Sequence, residues 1–342
     1  MNISYRTRRF LLRLCTTLVT LSIIAVVAWL CWMIWVDRYI IYTPDGARLD
    51  FDYTAQYSDG VLAKPPAPQE TIEIVYDEPA IEETVPVVEN TSISGYYIDF
   101  DDLKTNISAV RTKLEALPAG TAVLLDVKNI KGFFHYSTSV GRTTSTDVDT
   151  AQMDALLSYL SNSDLHIIAR LPAFRDWEYG LNNVPSGLPK KGGKGALWMD
   201  DSNCYWLNPA DEGTLNYLIR ITTELRSLGF DEVVYSDFRF PNTDKIVFEG
   251  SKSEALSNAA ATLTTACATD RFCVSFISTD PAFPLPVGNC RLYLEDIAAA
   301  DIPNILDQVV TNDPATHLLF FTTVNDTRFD EYCVLRPLDS AH

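Results

Sequence analysis

Apolar residues are distributed along this chain in two ways. Residues 14–36 form one unbroken apolar run, and from residue 94 onward short β-rich runs alternate with stretches whose apolar positions recur at helical spacing. GYYIDF (95–100) predicts a first strand, followed by a helix over about 101–117 that carries Ile107, Val110, Leu114 and Leu117 on one stripe and stops at Pro118 and Gly120. TAVLLDVK (121–128) predicts the second strand, LHIIARLPAF (165–174) the third and GFDEVVYSDFRFP (229–241) contains the fourth, with helices over about 149–160 and 211–228 ahead of the last two. An Ala-rich helix over 253–269 leads to a fifth strand, RFCVSFIST (271–279), and NCRLYLED, THLLFFTT and EYCVLRPL predict strands six to eight, with a helix near 302–310. Alternation of this kind implies parallel strands joined by crossover helices.

Eight strands in about 249 residues match the size of a (β/α)8 TIM-like barrel, with an open sheet as the alternative. The connections PAFPLPVG and VNDTRFD are shorter than the dozen or so residues a crossover helix needs, so the second half is expected to be degenerate. The third strand is followed by a long insertion, 175–210, and a compact domain seldom keeps such a loop without a use.

The segment ahead of the barrel divides into four parts. Arg6, Arg8, Arg9 and Arg13 make residues 1–13 a basic N-terminus, and residues 14–36 are 23 residues without a charge, long enough to cross a bilayer as a helix. Trp29, Trp32 and Trp35 stand where a cleaved signal peptide would place small residues, so an uncleaved anchor is expected. The arginines put the N-terminus in the cytoplasm and everything beyond residue 37 outside, giving a single-pass plasma-membrane protein. Residues 37–53 form a juxtamembrane piece. Residues 54–93, with five prolines, eight acids and one lysine, read as a disordered acidic stalk before the domain at 94–342.

Charge sharpens this picture. The formal net charge is -18, and beyond the basic N-terminus 23 basic residues face 45 acidic ones, a surface that repels nucleic acid. Cys204, Cys267, Cys273, Cys290 and Cys333 show neither CxxC spacing nor an even count, so neither a metal site nor a disulfide framework is expected and they read as small buried residues. GxSxG, HExxH and Walker-type sequences do not occur, and no cofactor is expected.

Candidate chemistry sits at strand ends. In a regular strand alternate residues share a face, which groups Tyr97 with Asp99, Asp126 with Lys128, His166 and Ile168 with Arg170, and Val233 and Tyr235 with Asp237 and Arg239. With parallel adjacent strands, Asp99, Asp126, Lys128, Arg170, Asp237 and Arg239 converge on one rim, where barrels place their chemistry. Charged strand ends are more often structural when taken singly, because strands end at solvent. Six at matching ends are harder to dismiss and leave two readings, a pocket in which carboxylates flanked by cations serve as nucleophile or acid and base in glycoside hydrolysis, or charges that cancel to let a barrel mouth close. Trp177, Trp198, Tyr205 and Trp206 in the insertion offer flat faces for sugar rings, against the alternative of a small core for the loop itself.

The segments LLDVKNIKGFFHYSTSV (124–140), LHIIARLPAFRDW (165–177), the W-x-N-P beginning at Trp206 and GFDEVVYSDFRFP together resemble the glycoside-hydrolase-like TIM-barrel domains of bacterial cell surfaces, a family first catalogued as of unknown function. The resemblance implies a barrel, a carbohydrate ligand and a site at the strand ends. The family pattern at strand four resembles FDYIRFP, with its acid three residues before the arginine; here Ser236 holds that place and Asp237 follows it. Catalytic roles are accordingly expected for Asp237 and Asp126, and substrate contacts for Arg170, Arg239, Lys128, Asp99, Tyr235, Trp198 and Trp206. Asp99, Asp280 and Glu295 are further candidates for the second carboxylate. The rival expectation is a non-catalytic glycan-binding or envelope-scaffolding protein on the same fold.

Overall fold

The computed structural model describes residues 91–143, 147–311 and 313–340, together with Thr20, Ser22, residues 25–29, Trp32 and the strands Ile40–Thr43 and Gly46–Leu49. The chain divides into two compact units, Met1–Ala80 and Ile81–His342. In the first, residues 25–29 are helical and exposed, and the two short strands pair antiparallel. Most of the expected anchor and nearly all of the expected stalk lie outside the described residues. Among the described residues, no helix is long and apolar enough to cross a membrane.

The second unit is a closed barrel of eight parallel strands. They are β1 (Ser94–Tyr97), β2 (Ala122–Asp126), β3 (His166–Pro172), β4 (Glu232–Ser236), β5 (Cys273–Ile277), β6 (Leu292–Leu294), β7 (Leu318–Phe321) and β8 (Cys333–Pro337). Each pairs with its neighbours in chain order, and β8 closes on β1 through partners such as Leu335 and Gly95. Gly95 is required there: a Cβ would stand 1.8 Å from the Ala122 carbonyl oxygen of β2.

Alternation within the strands divides the core in two. Ala122, Leu124, Ile168, Val234, Tyr293, Leu319 and Leu335 fill the barrel, while Val123, Leu125, Ile167, Ala169, Val233 and Tyr235 pack outward on the helices. Those helices are α1 (Phe100–Glu115), α2 (Thr150–Leu160), α4 (Glu212–Ser227) and α5 (Lys252–Cys267), with α3 (Trp177–Asn182) inside the insertion. Asp99, Asp149, Asp211 and Ser251 cap α1, α2, α4 and α5 by accepting from early backbone N–H groups.

The second half keeps its strands and loses most of its helices. Past β5 the α-helices among the described residues are α6 (Ile302–Leu306) and α7 (Pro314–His317), and a 3-10 turn, Thr327–Phe329, joins β7 to β8. The sheet closes nonetheless, because ladder hydrogen bonds depend on the strands alone. The lower end of the barrel is plugged by a polar cluster. Glu232, fully buried, accepts from Ser275 Oγ at 2.5 Å, from Tyr293 Oη at 2.7 Å and from the Arg291 guanidinium, and lies 3.3 Å from His166 Nε2. Arg291 also donates to the Thr316 and Thr91 carbonyl oxygens, at 3.1 and 2.9 Å, tying this end to the segment before β1.

Candidate functional site

The upper, C-terminal end of the barrel holds the other charged cluster. Register places Asp126 of β2 directly beside Arg170 of β3, and both follow inward-facing positions. Arg170 donates to Asp126 from Nε at 2.6 Å and from Nη2 at 2.9 Å, a fork that matches a carboxylate. Its Nη1 lies 3.7 Å from Glu295, the residue after β6, and its guanidinium stands 5.8 Å from the Phe321 ring of β7. Tyr97 of β1 meets the same Phe321 edge-on at 5.7 Å. Burial raises the Tyr97 hydroxyl above its ordinary value, and the charges of Asp99, Asp296 and Glu295 push the same way.

Beside this cluster opens a cavity of about 480 Å³ whose lining includes Ser236, Asp237, Arg239, Ile277, Asp280 and Glu295. Ser236 shares the inward face of Val234, so the position of the family acid does look into the barrel mouth and carries a hydroxyl. Asp237 reaches the same cavity by another route. The strand ends at Ser236, and Asp237 takes a left-handed backbone (φ 48°), a conformation aspartate tolerates better than most residues. Burial raises the Asp237 carboxyl, opposed by Arg175 and Arg239; Arg239 Nη2 stands 3.5 Å from Asp237 Oδ1. Burial likewise raises Glu295, opposed by Arg170 and reinforced by the charges of Asp296, Asp237 and Asp126. Two carboxyls held above their usual range therefore share one cavity, each with a guanidinium close by.

Several expected rim residues lie elsewhere. Tyr235 does not face the mouth: it is fully buried against α4, with its hydroxyl bonded to Thr222 Oγ1 and 3.4 Å from the Leu218 carbonyl oxygen. The strand's charged tip suggested the wrong face, since alternation carries Val234 and Ser236 inward and breaks at the left-handed Asp237. Lys128 lies past the end of β2 and is buried in a private ion pair, 2.6 Å from Asp176 Oδ2, with the Tyr217 ring of α4 at 5.7 Å. Asp99 stands near Tyr97 but spends its carboxylate on the cap of α1, accepting from Asp101 N at 2.9 Å. Trp206 is 3 % exposed, so it offers no open face to a sugar, whereas Trp198 is half-buried against it at 6.4 Å.

His135, in the loop after β2, is buried and tilted over Phe100 at 4.7 Å; burial lowers its imidazole, against the charges of Asp126 and Asp147. Among the described residues no group of His, Cys, Asp and Glu has the arrangement of a metal site. Sequence reasoning placed Glu295 only among the reserves. Extending the alternation test to strand six would have promoted it, because Tyr293 points inward and Glu295 follows two residues later.

Residues 106–271 match the family model described as "Putative glycosyl hydrolase domain". The likeness is confined to that segment, just under half of the chain. It runs from within α1 to just ahead of β5 and contains the segments, from 124 to 241, that carry the resemblance. No curated protein matches the chain. Among solved structures, a hypothetical protein from Ruminiclostridium thermocellum is 21% identical over 53% of this chain and 96% of its own, with a TM-score of 0.45. A GH36 α-galactosidase AgaA variant from Geobacillus stearothermophilus, in complex with raffinose, is 11% identical over 75% of this chain and 40% of its own, with a TM-score of 0.50. The GH20 exo β-N-acetylglucosaminidase from Vibrio harveyi is 9% identical over 68% of this chain and 42% of its own, with a TM-score of 0.45. This chain thus spans less than half the length of both enzymes, and likeness at such identity is likeness of fold.

Proposed function

We propose that this protein is a glycoside hydrolase that acts on a glycan outside the cell, with Asp237 and Glu295 as its working carboxylates. The observation that carries the reading is their common cavity, in which both carboxyls are raised by burial while a guanidinium stands beside each. Glycoside hydrolysis needs one carboxyl that keeps its proton for the leaving oxygen and one that is ionised to act as nucleophile or base. Asp237, whose side chain is 18 % exposed, is the better acid; Glu295, 45 % exposed and approached by Arg170, is the better carboxylate. Asp126 is taken up by Arg170 and orients that guanidinium toward Glu295 instead of attacking substrate.

The test is hydrolysis of a panel of bacterial envelope oligosaccharides by the wild type, Asp237→Asn and Glu295→Gln. Turnover in the wild type and its loss in both variants is the expected result. Turnover undiminished in Asp237→Asn removes that residue from the chemistry. The second reading, a glycan-binding protein without turnover, is favoured by one observation: the inward position of the family acid is occupied by Ser236. Binding by the wild type and by Asp237→Asn alike, with no product released, selects it.

The location belongs to the same proposal. The uncharged run 14–36 behind four arginines supports an uncleaved single-pass anchor with the barrel outside. Fractionation of cells expressing the full chain, with protease added outside, tests it. Recovery of the protein from the soluble fraction would refute the anchor.

A further inference from the structure

We propose that the insertion after β3 serves to hold Arg239 against Asp237, so that Trp206 and Arg239 are positioning residues for the acid of the site; this rests on the reading of Asp237 given above. The sequence suggests a sugar platform for these tryptophans, but the packing gives Trp206 a different employer. Its ring lies 5.0 Å from the Arg239 guanidinium, the geometry of a cation stacked on an indole. Its indole N–H donates to Asp200 Oδ2 at 3.0 Å, and Arg175 Nε donates to the same oxygen at 2.7 Å. Asp200 is itself fixed by accepting from the Ser202 and Cys204 backbone N–H groups, both at 3.0 Å on Oδ1. Arg175, 5.9 Å from the same ring, and Trp198, at 6.4 Å, complete a small closed core.

That core is pinned at two places. Leu207 N donates to Phe174 O at 2.7 Å, just past β3, while Lys191 N donates to Lys245 O at 2.7 Å and Val247 N to Pro189 O at 2.8 Å, in the chain that follows β4. The insertion is therefore built across both β3 and the segment carrying Arg239. Arg239 itself is half-exposed and weakly held by hydrogen bonds, with contacts of 3.5 Å to Asp237 Oδ1 and to the Phe240 carbonyl oxygen. A long side chain so placed would sample many rotamers without the indole face beneath it. The charged groups around Asp237 are Arg175 and Asp200 from the insertion, Lys128 from the end of β2, Arg239 from its own loop and Glu295 across the cavity. Burial pushes the carboxyl up, and Arg175 and Arg239 hold it from rising further, which suits an acid that must also give its proton away.

The experiment follows the Asp237 and Glu295 carboxyl carbons by NMR during pH titration of the full chain in micelles, and needs no substrate. Arg239→Gln, at a half-exposed side chain, and Trp206→Leu are both expected to move the Asp237 titration to higher pH while Glu295 moves less. Arg239→Lys is expected to restore it in part, since a lysine supplies the charge without the stacking plane. Trp206→Phe, which keeps a ring under the guanidinium and loses the bond to Asp200, is expected to move the titration less than Trp206→Leu. An Asp237 titration unchanged in folded Arg239→Gln, or unchanged in folded Trp206→Leu, overturns the proposal. If Asp237 shifts as expected but no glycan is cleaved, the positioning role stands and the hydrolase reading falls.

Discussion

Arg170 grips Asp126 through two parallel hydrogen bonds, of 2.6 and 2.9 Å, and turns its remaining nitrogen to within 3.7 Å of Glu295. One cation thus joins strands β2 and β3 to the carboxylate that follows β6. Replacing it leaves a half-buried acid, Asp126, and a more exposed one, Glu295, without their partner. Arg170→Gln is expected to lower unfolding stability by about 2–3 kcal/mol, the scale of a charge-assisted hydrogen bond pair lost from a partly buried site, read from urea midpoints. The Glu295 carboxyl should titrate higher in that variant, because the cation that opposes its burial is gone. A folded Arg170→Gln protein with unaltered Glu295 titration would separate the two groups.

Glu232 makes the opposite kind of electrostatic contribution at the other end of the barrel. Burial would raise its carboxyl, but Arg291, His166 and Ser275 outweigh that and pull it down to about 2, from an ordinary value of 4.5. The unfolded chain therefore takes up this proton first as the solution is acidified. The stability contributed by the ionised form is complete above about 4.5 and is lost as pH falls toward about 2. Glu232→Gln should remove part of this acid-side slope in thermal melts between those limits. At neutral pH it should cost about 3–5 kcal/mol, because Arg291 is left buried without its counter-charge.

Burial also protects the thiols. Cys204, Cys267, Cys273, Cys290 and Cys333 are all buried, and burial pushes the Cys204, Cys267 and Cys290 thiols up to about 12, 11 and 12. Alkylation of the native protein at neutral pH, mapped by mass spectrometry, should label these five slowly, and unfolding in denaturant should make Cys204, Cys267, Cys273 and Cys333 reactive without a reductant. Rapid native labelling at any of them would contradict the packing.

The barrel was legible in the sequence where both strand and helix leave a periodic trace, as in the run from Gly95 to Pro241. Beyond β5 the helices shrink to a few residues and only the strands' apolar runs carry the signal; closure follows from ladder pairing that no local pattern encodes. The site was half legible. Asp126 and Arg170 stand in the regular part of their strands, so alternation placed them together. Tyr235 and Lys128 were assigned to the rim because alternation was extended up to and past the strand ends, where Asp237 turns left-handed and Lys128 swings into the insertion. Trp206 shows the remaining limit, since composition cannot say whether an aromatic face is open or already covered by an arginine.

The shift of the acid from position 236 to 237 can itself be reversed. Ser236 looks into the cavity from the inward face of β4, and Asp237 reaches it from a left-handed backbone with φ of 48°. In the double variant Ser236→Asp with Asp237→Gly, the carboxylate would leave from the family position, and glycine would take the left-handed conformation without a Cβ clash. Relief of roughly 1 kcal/mol of left-handed strain is offset by glycine's larger chain entropy, of about 0.5–1 kcal/mol, so the melting temperature should change little. Turnover should survive in the double variant and disappear in Asp237→Gly alone, measured on whichever oligosaccharide the wild type cleaves. Equal losses in both would mean that the carboxylate must approach from the loop, beside Arg239, and that the two positions are not equivalent in this barrel.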